Sequence, residues 1–110
     1  MEYTWKIVTY KTRDEVNADG DTLSDSVVSV EWSKTATALN GVSSRYLGIT
    51  EISAANTSAA DFIALNDITE DNLVGWVQAS LSSADEQVIN NALAKKIAKK
   101  NDVKRQATFG

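Results

Sequence analysis

The sequence contains neither cysteine nor histidine. Without cysteine there are no disulfides, no thiolate nucleophile and no thiolate metal site. Without histidine the chain lacks the usual general base near neutral pH and the commonest transition-metal ligand. No apolar run approaches the roughly 18–20 residues of a membrane-spanning helix, and residues 1–20 show no signal-peptide core, so no membrane is expected. A G-x-x-x-x-G-K-[ST] phosphate loop and a G-x-S-x-G nucleophile elbow are also missing. Carboxylate pairs do occur at Asp14/Glu15 and Glu70/Asp71. A solvated loop and a first helical turn account for them. These absences argue against an enzyme and leave no cofactor or metal to expect.

What is present fits one small domain of 110 residues, 43% of them apolar. Charge is divided unevenly along it. Residues 1–94 carry 5 basic and 14 acidic side chains, net −9; residues 95–110 carry 6 basic and 1 acidic, net +5; together they give the formal −4. An acidic body with a basic end reads as an interaction tail. The same Lys95, Lys96, Lys99 and Lys100 also suit a helix C-terminus, where the macrodipole favours cations. The basic end would attract phosphates, with Phe109 available to stack on a base, but the acidic body repels them. Nucleic acid is therefore not the expected partner.

Strands come first along the chain and helices second. Tyr3, Trp5 and Ile7 alternate with Thr4, Lys6 and Val8, which predicts a strand over about 2–11. Residues 13–25 read as a loop rich in turn formers. Val28, Val30 and Trp32 open a second strand over about 26–38, and Asn40–Gly41 predicts a type I′ hairpin into a third over about 43–52. Phe62, Ile63 and Leu65 are expected to tuck into the core as the chain crosses over. Thr69 is a predicted N-cap for a helix over about 69–81, with Leu73, Val77 and Leu81 repeating every four residues. Gly75 inside it implies close packing or a tolerated defect. Ser83 and Glu86 have capping-box spacing for a second helix over about 84–100, whose apolar stripe is Val88, Ile89, Ala92, Leu93 and Ile97.

One stretch overlaps a calcium-loop pattern, Glu15-x-Asn17-x-Asp19-Gly20-Asp21. It departs from that pattern three times: Glu stands first, Ser26 stands where a bidentate Glu belongs, and the flanks read as strands. Turn propensity explains the same residues.

Tyr3-Thr4-Trp5-Lys6-Ile7 at the start, and Ile68-Thr69-Glu70-Asp71-Asn72-Leu73-Val74-Gly75-Trp76-Val77 at the first helix, resemble a family of small proteins of tailed phages, cyanophages in particular. Val28-Val-Ser-Val-Glu-Trp32 matches the family's middle strand. The resemblance covers most of residues 1–81 and is absent from the basic tail. It implies a virion setting and names no chemical site. Trp5, Trp32 and Trp76 read as core anchors.

The expectation is an α+β fold: a three-stranded antiparallel meander packed against a C-terminal helical hairpin, one domain over residues 1–100, with an extended basic arm over 101–110. The expected role is a structural or accessory protein of a tailed-phage virion that binds neighbouring subunits. Tail or baseplate attachment is preferred slightly to capsid decoration. Other virion proteins in a symmetric multi-copy assembly would be the partners, with Lys104, Arg105 and Phe109 as the partner-binding residues. The alternative is a soluble early phage protein that binds host protein or nucleic acid through the basic segment.

Overall fold

Period-two alternation builds three long strands. In the computed structural model, which describes residues 1–54 and 57–107, with side chains through Asn101, β1 runs Glu2–Val16, β2 Thr22–Thr37 and β3 Ser43–Glu51. They form an antiparallel sheet in the order β1-β2-β3. A single 3-10 turn at Leu65–Asp67 precedes the helices α1, Glu70–Ser80, and α2, Ser83–Ala107. The fold is α+β, a three-stranded sheet with two helices.

The expected loop at 13–25 shrinks to Asn17–Asp21. Residues 13–16 and 22–25 are polar because most of them face water, not because the chain leaves the sheet. Asp25, inside β2, takes a positive φ of 51°, and its N–H donates to Asp14 Oδ1 at 2.9 Å. Both hairpins close on three-residue loops. Gly20 N–H donates to Asn17 O and Asn17 N–H to Asp21 O, while Gly41 N–H donates to Ala38 O and Ala38 N–H to Val42 O. Only the glycines carry positive φ there, 83° and 84°. The second turn is therefore not the expected type I′, because Asn40 does not enter the left-handed region. It is a type I turn followed by a left-handed glycine. Asn40 works through its side chain instead, accepting the Val42 N–H at 3.1 Å.

Thr69 caps α1 as expected: its Oγ1 accepts the Asn72 N–H at 3.2 Å, and Asn72 Oδ1 reaches back to the Thr69 N–H at 2.9 Å. The cap of α2 lies one residue earlier than expected. Ser82 Oγ accepts the Asp85 N–H at 3.1 Å, and Asp85 Oδ2 accepts the Ser82 N–H at 3.0 Å. Both Ser82/Asp85 and Ser83/Glu86 have the required spacing, and the first pair makes the reciprocal bonds. The helix then continues to Ala107, past the expected end at 100. An extended arm over 101–110 is not shown.

The chain sorts into two compact units, and every strand contributes to both. The expected helical hairpin is divided with them, α1 in one unit and α2 in the other. One unit gathers Lys6–Trp32 and Gly48–Ser80. Its buried residues include Leu23, Val27, Val30, Trp32, Leu73 and Val77. The Trp32 ring lies directly against Gly48, where a Cβ would come within 2.3 Å of it, and its Nε1–H donates to Thr50 Oγ1 at 2.9 Å. Phe62, Ile63 and Leu65 are half-buried. Trp76 is half-buried as well, so it is less of a core anchor than expected. Nothing lies within 4 Å of a Cβ placed at Gly75, which makes that glycine a tolerated defect.

The other unit gathers Met1–Trp5, Ser33–Leu47 and the chain from Leu81 on. Ile89, Leu93 and Ile97 on α2 are buried with Ala36 and Val42, whereas Val88, expected in the same stripe, is exposed. Lys34 is buried too, at 5% exposure. Its ammonium donates to Asn90 Oδ1 at 2.8 Å and stands 4.4 Å from the Tyr3 ring centre and 4.9 Å from that of Trp5. A carbonyl and two π faces compensate the cation for the water it has lost. Trp5 is half-buried, and it serves that lysine more than an apolar core.

Candidate interaction surfaces

The residues expected to bind a partner lie at the end of the chain. Lys104 and Arg105 fall on the helical backbone of α2, with side chains outside those described, and Phe109 lies outside the described residues altogether.

In the calcium-like segment, Asn17 and Glu15 spend their side-chain oxygens on the protein itself. Asn17 Oδ1 accepts the N–H groups of Asp19 and Asp21 at 3.1 and 2.9 Å, and its Nδ2 donates to Thr57 O at 2.9 Å. Glu15 Oε1 accepts Ser26 Oγ–H at 3.0 Å and the Ala54 N–H at 3.4 Å. Among the described residues no three acidic, histidine or cysteine side chains cluster in a way that could hold a metal ion. The segment ties the first turn to the chain that follows β3.

Beside Glu15, a cavity of about 420 Å³ opens in the unit built from Lys6–Trp32 and Gly48–Ser80. Ile52, Phe62, Ile63, Ile68 and Trp76 give it an apolar wall. In the same unit the sheet leaves one face open. Trp5-to-Ile7 alternation turns Val8 and Tyr10 outward on β1, and the packing of Trp32 on Gly48 turns Ile49 outward on β3. Val8, Tyr10 and Ile49 are 52%, 44% and 67% exposed. Ser29 and Glu31 of β2 are half-buried on the strand between them. No sequence signal distinguishes this face from the covered one, because both alternate sets on β1 contain large apolar residues.

The unit containing α2 carries a different surface. Ser44, Arg45, Lys96, Lys99 and Lys100 line an open cleft of about 550 Å³ at the free edge of β3. The pairing of Ala38 with Val42 and of Ile52 with Val28 turns the even-numbered backbone groups of β3 toward β2. By alternation the odd-numbered ones point away from the sheet. Two of these outward carbonyls are met by lysines: Lys96 Nζ donates to Arg45 O at 3.0 Å, and Lys100 Nζ donates to Ser43 O. Lys96 also stands 5.9 Å from the Tyr46 ring centre. The lysine cluster that reads in sequence as a dipole-satisfying helix end is, in space, a cover for a sheet edge. On the other edge, Glu70 Oε2 accepts the Ile7 N–H at 3.2 Å.

A family model described as a domain of unknown function matches residues 1–109. No curated protein and no solved structure matches the chain.

Proposed function

The chain belongs to the DUF7936 domain family, and for this member we propose a role as a small structural or accessory protein of a tailed-phage virion that acts by binding neighbouring subunits. Tail or baseplate attachment is the preferred placement, ahead of capsid decoration. The setting rests on the resemblance of residues 3–7 and 68–77 to tailed-phage proteins. The open face supports the means, since it exposes Val8 and Tyr10 on β1 and Ile49 on β3, large apolar side chains on either side of Ser29 and Glu31 that a neighbouring protein could cover. In this reading the basic segment 101–110 is a second contact, with Lys104 and Arg105 pairing with acidic groups and Phe109 filling an apolar recess. Repetition of the contacts around a symmetric particle multiplies weak affinity into stable attachment.

Mass spectrometry of purified particles tests the role. Stoichiometric presence is the expected result, and absence from clean particles overturns it. Ile49→Glu tests the open face. It should leave the melting temperature within a few degrees of the parent and reduce incorporation in competition with it by about tenfold. Equal incorporation would remove that face from the contact. A protein found only in infected-cell lysate, bound to host protein or nucleic acid, would establish the early-protein alternative.

A further inference from the structure

The cleft at the β3 edge offers two kinds of group side by side. Its cations are Arg45, Lys96, Lys99 and Lys100. Its acceptors are the outward carbonyls of Ser43 and Arg45, two residues apart on the strand. An extended peptide presents N–H donors at that same two-residue repeat, about 6.6–6.8 Å, and can carry carboxylates at alternate positions. A nucleic-acid backbone presents acceptors alone, which suit the lysines but oppose the carbonyls. It also meets the net charge of −9 over residues 1–94.

We propose that this cleft takes an acidic, extended segment of a partner protein, added as a fourth strand along Ser43–Leu47. On docking, Lys96 and Lys100 leave the carbonyls of Arg45 and Ser43 and pair with the partner's carboxylates, while the partner's N–H groups take over the vacated oxygens. Lys99 and Arg45 supply further charge. Main-chain bonds give the affinity and the cations select for acid, the division found wherever a strand is added to a sheet edge. The same lysines keep the edge from pairing with neutral strands, so the cover and the selector are one device.

The test uses the full chain and a fluorescein-labelled peptide of alternating glutamate and valine, about eight residues long to match one strand. Saturable binding that weakens as salt rises is expected. N-methylation of alternate peptide nitrogens on the bonding side should weaken it about tenfold or more. Lys99→Glu should weaken it by a similar factor, with the fold verified by its melting curve. Arg45→Glu provides the same measurement if that variant unfolds. Equal binding of the N-methylated peptide would overturn strand addition. Equal or tighter binding of the lysine-for-glutamate peptide, or of an oligothymidylate, would overturn the acidic-peptide assignment, as would unchanged binding by both charge-reversed variants or no binding at all. A chain that binds the peptide but is absent from purified particles would keep this cleft and discard the virion role.

Discussion

Gly48 leaves no room for a side chain. A methyl group there meets the Trp32 ring at 2.3 Å, and that ring is fixed by its bond to Thr50. Gly48→Ala should therefore destabilise by about 1–3 kcal/mol, the range for overpacking a filled site, as read by chemical denaturation. Trp32 and Trp76 separate by the same criterion of burial. Trp32→Ala should cost about 3–5 kcal/mol, whereas Trp76→Ala, at a half-buried cavity wall, should cost roughly half that. Equal losses in denaturation would show that the two rings are equally buried. Sequence alone ranks them together, because an aromatic on an apolar stripe looks the same whether its far side meets a neighbour or a cavity.

Helix α1 carries a correctable flaw. Gly75 lies inside it and faces open space, so Gly75→Ala should raise stability by about 0.5–1 kcal/mol through helix propensity and a less disordered unfolded chain. A loss in the denaturation midpoint would mean that the added methyl group meets a neighbour within the fold. Elements of this kind were the most legible part of the chain. Thr69 announces α1, and the four-residue repeat of Leu73 and Val77 fixes its buried side. What was hidden had local causes. Residues 13–16 and 22–25 look like a loop because an exposed stretch of sheet is as polar as a turn. The α2 cap was displaced by one residue because two serines in a row each have an acid three positions on. The β3 cleft was illegible for a different reason: its acceptors are main-chain carbonyls, which carry no sequence signature.

At the scale of the whole molecule, the charge division sets what the chain's end contributes. Beyond Asn101 the sequence holds only Val103 and Phe109 as large apolar residues. Deleting 102–110 should thus leave the melting temperature nearly unchanged while reducing incorporation into particles in competition with the full chain. Equal incorporation would sink the tail contact, and failure to fold would make the segment part of the core. The lysine cover of β3 sets a second boundary. Four helical residues advance about 6 Å and two strand residues about 6.6–6.8 Å, so α2 and β3 slide past each other like the two scales of a vernier. Lys100 meets residue 43 and Lys96 meets residue 45; the next graduation sets position 92 against Leu47, and position 92 is alanine. The mismatch of under 1 Å per step lies well within a lysine's reach. The scale therefore stops at Leu47 because the sequence stops it there, and one substitution, Ala92→Lys, would move the mark.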